Sequence, residues 1–302
     1  MYDLIVIGGG PAGLTAAIYA IRKRLNILLV SEDLGGKTQY RLALPWIEDY
    51  QVIRGLETVN KFKHELEYLN FARHMEGVEK VERRQDGLFT VTTKGGAELP
   101  SRAVIIATGA RQKRLIVPGE KEFMMKGLCY SALSYAPLFI DRKVVVVGDG
   151  DLALRSSAEL ATIAQKVYLV TAGNGILDTP LGKKLAASEN VSILKDHAVI
   201  EVKGDQYARS VVVKTPDGIA SEIEADGTFI ELALIPNTKM VEGLLELDPL
   251  GRIGVDCQNR TSVPGIFAAG DVCTAFSEQV LVAIGEGAKA ALAAYEYLLP
   301  VL

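Results

Sequence analysis

Short apolar runs that end in glycine alternate with amphipathic stretches along this chain. The run Tyr2–Ile7 predicts a buried parallel strand, because hydrophobic residues fill both faces of its central part. Leu14–Arg24 has the spacing of an amphipathic helix, and Ile27–Val30 predicts a second buried strand. This β-α-β order is typical of an α/β protein with a parallel sheet.

The same order of elements recurs about 140 residues later. Lys143–Val147 predicts a strand, a helix follows to about Ala164, and Lys166–Val170 predicts the next strand. Two further apolar runs, Val104–Ala107 and the segment from Gly265 to Asp271, predict strands that precede a glycine-containing turn. The alanine-rich segment Val280–Leu299 predicts a final helix.

Composition adds limits to this picture. A chain of 302 residues can form two domains or one large one, and 49% hydrophobic residues with 29 glycines favour a globular protein. The net charge is −4 and no basic tract stands out, which argues against a nucleic-acid partner. No run of about 18 apolar residues predicts a membrane span, and the first strand begins too early for a signal peptide. We therefore expect a cytoplasmic protein without a membrane partner.

The cysteines are widely separated at Cys129, Cys257 and Cys273. An odd number without a C-x-x-C spacing argues against a disulfide framework and against a metal site. For Cys129 and Cys273, inert packing and a redox role both remain open.

A glycine motif follows the first strand directly. Gly8-Gly9-Gly10-Pro11-Ala12-Gly13 has the G-x-G-x-x-G spacing of a dinucleotide-binding turn, although glycine also serves ordinary βα turns. Gly8 permits the tight turn, Gly10 admits a pyrophosphate, and Gly13 allows the helix to pack closely on the strand. Glu32, at the end of the second strand, is placed to accept hydrogen bonds from a ribose, and Asp33 is close enough to compete.

The second half of such a site is expected near the carboxyl end of the chain. Gly270-Asp271 ends a strand, where the aspartate can hold ribityl hydroxyls while N–H groups at the start of the last helix take a phosphate or a flavin carbonyl. The alternative is an aspartate that caps a helix.

Together these motifs resemble the thioredoxin-reductase branch of the two-dinucleotide-fold flavoproteins. The resemblance also includes Gly35-Gly36-Lys37, Ile47-Glu48-Asp49-Tyr50, the A-T-G-A run at 107–110, Val117-Pro118-Gly119-Glu120 and Ile235-Pro236-Asn237-Thr238. It implies two Rossmann-like domains of three-layer ββα type, the second inserted in the first. FAD would be held by residues 1–113 and 241–302, and residues 114–240 would form the inserted pyridine-nucleotide domain. The family is usually homodimeric.

The glycine motifs and this resemblance together predict the cofactor-binding residues. They are Gly8, Gly10, Pro11, Ala12, Gly13, Glu32, Gly36, Lys37, Asp49, Val78, Ala107, Thr108, Gly109, Gly270, Asp271, Gln279 and Val280.

The inserted domain departs from the family at its own glycine loop. Asp149 and Asp151 place two carboxylates where an anionic pyrophosphate would lie. The following strand ends without an acid for a ribose hydroxyl and without the His-Arg-Arg that the family has for a 2′-phosphate. We therefore expect the fold to be retained while NADPH binding is doubtful.

The family's redox-active C-x-x-C is also missing. The resemblance aligns Ser131 and Ser134 with the two cysteines, and Tyr135 with the acid that follows them. Serine has neither a thiolate nor an accessible two-electron couple, so a thioredoxin-reducing mechanism does not transfer to these positions.

Charge and aromatic residues modify the expected cofactor environment. Glu278 replaces a family arginine and Asp49 a common amide, and both charges should lower the flavin potential. Five aromatic residues gather in segments near the expected flavin or domain boundary: Tyr40, Trp46, Tyr50, Tyr130 and Tyr135. They either pack, or stack on a planar ligand such as a second flavin or an aromatic substrate.

Three functions follow. The leading one is an FAD-dependent oxidoreductase without a dithiol, reduced by a redox protein with an iron–sulfur or flavin centre rather than by NADPH, with an unidentified acceptor. The second is an NAD(P)H-dependent flavin reductase or dehydrogenase, or an enzyme similar to ferredoxin–NADP reductases. The third is a non-catalytic FAD-binding sensor or assembly protein.

Overall fold

The computed structural model describes residues 1–48, 50, 55–173, 175–274 and 278–302. The chain forms two compact units. The first comprises Met1–Gln39, Ile53–Arg111 and Ile235–Leu302, and the second comprises Tyr40–Val52 and Gln112–Leu234. The predicted α/β class, with one Rossmann-like unit inserted in another, is confirmed.

The helices and strands follow in chain order. From Tyr2 to Gln112 they are β1 (Tyr2–Ile7), α1 (Pro11–Arg22), β2 (Ile27–Val30), α2 (Leu56–Tyr68), β3 (Arg73–His74), β4 (Val78–Arg83), β5 (Phe89–Thr93), β6 (Glu98–Ile106) and β7 (Ala110–Gln112). Next come α3 (Glu120–Phe123), β8 (Leu128–Cys129), α4 (Ala132–Tyr135), β9 (Lys143–Val147), α5 (Asp151–Ala161), β10 (Lys166–Thr171), α6 (Pro180–Ala186), β11 (Val191–Lys195), β12 (Ala198–Gly204), β13 (Ala208–Lys214), β14 (Ala220–Glu224) and β15 (Gly227–Ile230). The last elements are β16 (Leu234–Pro236), β17 (Ile266–Ala268) and α7 (Val280–Leu298).

The first unit is built on a sheet in the order β3-β2-β1-β6-β5-β4, with β17 also paired to β6. The strands β3, β2, β1, β6 and β17 are parallel, whereas β4 and β5 add an antiparallel meander. Leu4, Ile5 and Val6 of β1 are fully buried on both faces, which explains the continuous apolar run in the sequence. The carboxyl ends of these parallel strands therefore meet at one edge, where ligands bind in such sheets.

The second unit repeats this plan. Its parallel sheet has the order β11-β10-β9-β15-β8, and β12, β13 and β14 form a separate antiparallel sheet. The succession β9-α5-β10 corresponds to β1-α1-β2 of the first unit, as the repeated apolar pattern predicts.

Residues 40–52 differ from the sequence-based boundary, which placed them with the FAD-binding part. The structure groups them with the inserted unit instead. Leu42 and Leu44 are buried in its core, and the Trp46 indole N–H donates to the Leu138 carbonyl at 3.0 Å. These contacts lie about 90 residues apart in the chain, beyond the reach of local sequence patterns. At the other boundary, residues 235–240 fall in the first unit rather than the inserted one.

Across the parts of the chain that the structure describes, no helix is both long and apolar enough to span a membrane.

Candidate functional site

The turn between β1 and α1 is shaped by two glycines that pack against backbone. Gly8 has φ +107°, and a Cβ there would lie 2.3 Å from the Ala107 carbonyl oxygen. A Cβ at Gly13 would lie 1.8 Å from the Gly8 carbonyl oxygen. Helix α1 can therefore approach the strand ends only because both positions lack side chains.

Gly10 differs from these two glycines because the space beside it is open. Among the described residues, no heavy atom lies within 4 Å of the position that a Cβ would take there. Gly10 is the extended N-cap of α1, with φ −72° and ψ −177°, and no described side chain caps this end. The first turn of α1 contains no acid, so its free N–H groups and positive end can accept an anion such as a pyrophosphate.

The segment after β2 folds against the glycine turn. The Gly9 N–H donates to Ser31 Oγ at 2.7 Å, and the Gly36 N–H donates to Asp33 Oδ1 at 2.9 Å. A Cβ at Gly36 would lie 3.1 Å from the Gly10 Cα, so Gly36 borders the open space at Gly10. Sequence reasoning missed the supporting role of Ser31. It considered Asp33 only as a competitor of Glu32, whereas the Asp33 carboxylate holds this loop.

Glu32, predicted to accept hydrogen bonds from a ribose, follows β2 and is mostly exposed. One of its oxygens accepts a hydrogen bond from Lys94 Nζ at 2.6 Å, and this hydrogen bond raises the pKa of Lys94. Lys94 follows β5 and had no signal in the sequence. It lies at the predicted ribose position and can orient the Glu32 carboxylate.

Lys37 and Asp271 are brought together from distant parts of the chain. Lys37 Nζ lies 2.5 Å from Asp271 Oδ2, and the Asp271 side chain is only 15% exposed. Asp271 follows β17 and Gly270, which has φ +78°. The mostly buried Asp271 carboxylate is thus balanced by a cation, and both groups belong to the same unit as the glycine turn.

The turn after β6 is held by Asn237. Thr108 Oγ1 donates to the Asn237 carbonyl at 2.7 Å, and Asn237 Nδ2 donates to the Thr108 carbonyl at 2.9 Å. The Asn237 N–H also donates to the Gly109 carbonyl at 2.9 Å. Gly109 has φ +64°, and within the described ranges no heavy atom lies within 4 Å of its would-be Cβ. This turn is therefore a second open stretch of backbone beside Ala107.

The remaining predicted cofactor residues fall in three positions. Gln279 is the N-cap of α7 and Val280 its first residue, and no side chain among the described residues caps this helix start. Val78 opens β4 and packs against a hydrophobic cluster of the first unit. Asp49 lies outside the described residues.

These observations fit an anionic dinucleotide such as FAD. Open backbone at Gly10 and Gly109, an uncapped helix start at Pro11 and a carboxylate at Asp271 lie in one unit. A Cβ at Gly10 would fill the space through which a pyrophosphate approaches.

The inserted unit contains a related glycine turn. A Cβ at Gly148 would lie 2.3 Å from the Glu231 carbonyl oxygen, whereas none of the described atoms lies within 4 Å of the would-be Cβ at Gly150. Gly150 is the extended N-cap of α5, like Gly10 in α1. Asp149 and Asp151 are both exposed at this turn. The turn has the shape of a nucleotide cradle, with two exposed carboxylates beside it.

A cation that sequence reasoning missed, Lys195, lies beside the end of β10. Lys195 ends β11 as the register partner of Thr171, and Lys195 is exposed. The His197 N–H donates to the Thr171 carbonyl at 3.3 Å, and a His197 ring nitrogen lies 2.6 Å from the Lys195 carbonyl oxygen. Lys195 and His197 lie beside the end of β10 because β11 pairs with β10. The spacing of residues along the chain gave no indication of this pairing.

Ser131 and Ser134, the predicted counterparts of the dithiol, contact each other. Their Oγ atoms are 3.1 Å apart, and Ser131 Oγ also accepts the Ser134 N–H at 3.2 Å as the N-cap of α4. The Tyr135 hydroxyl donates to the Tyr40 carbonyl at 3.3 Å, and burial raises the pKa of Tyr135. Three hydroxyls therefore lie at the positions that the resemblance aligns with two thiols and an acid.

The buried cysteines differ in their surroundings. Cys129 is fully buried in the core of the inserted unit, and this burial raises the pKa of its thiol well above the usual value. Cys273 is buried in the first unit, and its Sγ donates to the Gly270 carbonyl at 3.1 Å. Cys257 is exposed. Burial of Cys129 supports the packing interpretation.

Each of the five aromatic residues belongs to the inserted unit. Trp46 contacts Phe139 edge to face, with ring centroids 5.6 Å apart, and Arg142 lies over the Trp46 ring. The Tyr130 hydroxyl donates to the buried Glu120 carboxylate at 2.9 Å. Tyr50 donates to the Leu42 carbonyl, and burial raises the pKa of Tyr50. These contacts favour packing, and a stacking surface for a second planar ligand stays a prediction.

Among the described side chains, no group of three or more His, Cys, Asp or Glu residues is arranged to hold a metal ion.

Comparison with known proteins places this geometry in context. The model of the pyridine nucleotide-disulphide oxidoreductase family matches residues 2–287. The crystal structure of thioredoxin reductase from Streptococcus pyogenes MGAS5005 is 33% identical, with a TM-score of 0.87 over 99% of both chains.

Two curated relatives are longer than this chain. One subunit of the alkyl hydroperoxide reductase of Pseudomonas putida is 34% identical over 99% of this chain and 58% of its own length. The NADH dehydrogenase of Bacillus subtilis (strain 168) is 34% identical over 99% of this chain and 59% of its own length. The chain therefore spans less than two thirds of these relatives.

Proposed function

The chain belongs to the pyridine nucleotide-disulphide oxidoreductase family, and we propose that it transfers electrons from a donor other than NADPH without a protein dithiol. It is an FAD-dependent oxidoreductase similar to thioredoxin reductases. The proposal concerns its donor and its acceptor.

The contact between Ser131 Oγ and Ser134 Oγ, at 3.1 Å, is the observation on which the proposal rests. Two hydroxyls at this distance cannot form a disulfide or accept an electron pair. In the inserted unit, burial raises the pKa of the Cys129 thiol, which keeps this thiol protonated. Electrons would therefore leave the protein directly from the cofactor.

FAD, when bound, supplies a couple that accepts electrons singly or in pairs, which suits a redox-protein donor. In this proposal, the start of α1 and the open backbone at Gly10 bind the pyrophosphate, and Asp271 holds ribityl hydroxyls. Lys94 orients Glu32 toward the adenosine ribose. Gln279 and Val280 present backbone N–H groups at the start of α7.

The exposed carboxylates of Asp149 and Asp151 support a donor other than NADPH, because both repel an anionic nucleotide. A reduced iron–sulfur or flavin protein is the class of donor that needs no nucleotide site. A homodimer is the assembly that the resemblance implies, and light scattering of the purified protein measures it.

A second candidate is an NADH-dependent dehydrogenase. The open backbone at Gly150 favours it, because this position matches Gly10 in conformation and in free space. The relative from Bacillus subtilis is named an NADH dehydrogenase. Repulsion by exposed carboxylates is screened by salt and weakens binding without abolishing it.

Anaerobic reduction of the FAD-loaded protein tests these alternatives. We expect light with a sacrificial donor, or a reduced iron–sulfur protein, to bleach the flavin band at about 450 nm, whereas NADPH and NADH leave it unchanged within seconds. Rapid bleaching by NADH would overturn the proposal. Loss of that bleaching in Gly150→Val, but not in Ala220→Val at an exposed position of β14, would establish the second candidate.

Reoxidation separates an enzyme from a sensor. The photoreduced protein is mixed with quinones, oxygen, disulfides and oxidised redox proteins. A turnover rate above that of free FAD with at least one acceptor is expected, and absence of turnover with all of them would favour a non-catalytic FAD-binding protein.

A further inference from the structure

One carboxylate of the last helix, that of Glu286, holds the turn 270–273, which contains Asp271. Glu286 Oε2 accepts the Gly270 N–H at 2.8 Å and lies 3.5 Å from Cys273 Sγ. Within the turn, the Cys273 N–H and thiol both donate to the Gly270 carbonyl, at 3.0 and 3.1 Å. A single oxygen thus contacts both ends of the turn 270–273.

The backbone around this contact leaves little room for adjustment. A Cβ at Gly287, next to Glu286, would lie 2.1 Å from the Ala12 carbonyl oxygen, so α7 is in direct contact with the first turn of α1. A Cβ at Gly270 would lie 3.1 Å from the Ala12 Cβ. The turn, α7 and the start of α1 therefore meet at Ala12. The Glu286 carboxylate thus has a fixed position relative to the glycine turn between β1 and α1.

Asp271 is then held at two points. Its carboxylate pairs with Lys37 Nζ at 2.5 Å, while the backbone N–H just before it, that of Gly270, is fixed by Glu286. Gly270 is buried, so without Glu286 its N–H would lose its acceptor where water has poor access. Because a buried N–H without an acceptor is costly, the peptide plane would rotate until this N–H met another acceptor, and this rotation would move Asp271.

We propose that Glu286 is a positioning residue that fixes the Gly270–Asp271 turn in the orientation in which Asp271 binds the cofactor. This inference rests on the proposed FAD site in the first unit. It assigns Glu286 a role through Asp271 rather than contact with the cofactor itself.

The test uses FAD titration of the apoprotein, followed by quenching of flavin fluorescence. Glu286→Asp keeps the charge but draws the carboxylate back from the Gly270 N–H, whereas Glu286→Gln keeps an acceptor oxygen at the same reach. We expect the aspartate variant to bind FAD about 10- to 100-fold more weakly and the glutamine variant within about threefold of wild type. Glu296→Asp and Glu296→Gln, at an exposed position of α7, are the matched controls and should bind as wild type.

Coupling to Asp271 distinguishes positioning from general stabilisation. In the Asp271→Asn background, Glu286→Asp should weaken FAD binding by less than about threefold, because its effect passes through a group already altered. Thermal melting of each apoprotein reports general stability. Wild-type affinity in Glu286→Asp, or an equal loss with and without Asp271, would overturn the inference. If wild-type protein itself failed to bind FAD, the proposed function would fall instead.

Discussion

Substitution of two glycines from the same turn should have opposite consequences. Gly10→Ala should abolish tight FAD binding and leave the apoprotein folded. Gly13→Ala should destabilise the apoprotein itself. The two results differ because the would-be Cβ at Gly13 meets backbone, whereas the one at Gly10 meets open space. Comparing the two variants tests whether a ligand occupies the space at Gly10.

The magnitudes follow from the distances. At Gly13 the new methyl would lie 1.8 Å from the Gly8 carbonyl oxygen, more than 1 Å inside the closest approach that real Cβ atoms show. Helix α1 would have to move against β1, which costs about 3 kcal/mol or more. At Gly10, φ is −72° and none of the described atoms is near. There the alanine changes the free energy of unfolding by about 1 kcal/mol or less.

The assay compares thermal melting of the apoproteins with FAD titration. Gly13→Ala should lower Tm by about 6 °C or more, whereas Gly10→Ala stays within about 3 °C of wild type. FAD affinity of Gly10→Ala should fall at least about tenfold, or about 1.4 kcal/mol. Wild-type FAD affinity in Gly10→Ala would refute the interpretation of this space as the path of the pyrophosphate, and equal melting of the two variants would refute the packing argument.

Three further expectations concern the inserted unit and the thiols. The double variant Ser131→Cys with Ser134→Cys should form a disulfide on oxidation, because the two Oγ atoms are 3.1 Å apart. Mass spectrometry after alkylation should then count two fewer labelled thiols in the oxidised protein than in the reduced protein, and each single variant is the control. If the second candidate holds and the inserted unit binds nucleotides, Lys195→Ala should weaken NADPH binding about two- to fivefold relative to NADH binding in calorimetry, since the exposed lysine lies at the strand end where a 2′-phosphate would bind. An unchanged ratio would exclude that contact. Cys129 should resist iodoacetamide in the folded protein up to about pH 9, because burial raises its pKa and the thiolate forms only at still higher pH. The exposed Cys257 should be labelled under the same conditions. Peptide mapping at several pH values would show labelling of Cys129 if the buried thiol were accessible.

Strands buried on both faces were the most predictable elements. The predicted bounds of β1 (Tyr2–Ile7) and β2 (Ile27–Val30) agree with the structure, because continuous burial leaves a continuous apolar run. The helix ends were less predictable. Helix α1 begins at Pro11 rather than Leu14, since its first turn is Pro-Ala-Gly and lacks an amphipathic pattern even though proline suits that position.

The residues of the candidate site fall into two groups, those that a local motif identifies and those that only long-range contacts bring to the site. Gly8, Gly10 and Gly13 were recognisable because their geometry depends on spacing within one turn. Lys94 and Glu286 were not, because each reaches the site from an element that only the tertiary fold brings near. A glutamate in an alanine-rich helix has no pattern that separates it from an exposed charge.

The serine pair shows how hydroxyls alone hold the turn that begins α4. Ser131 Oγ accepts the Ser134 N–H and caps α4, a contact that contributes about 1 kcal/mol and that a thiol, as a weak acceptor, would make less well. The hydroxyl therefore stabilises the same turn that a dithiol would occupy. Because the turn is supported in this way, its retention gives no evidence for thiol chemistry. The proposed redox function rests instead on the first unit, where the open space at Gly10, the Asp271 carboxylate and the start of α1 fit an anionic cofactor such as FAD.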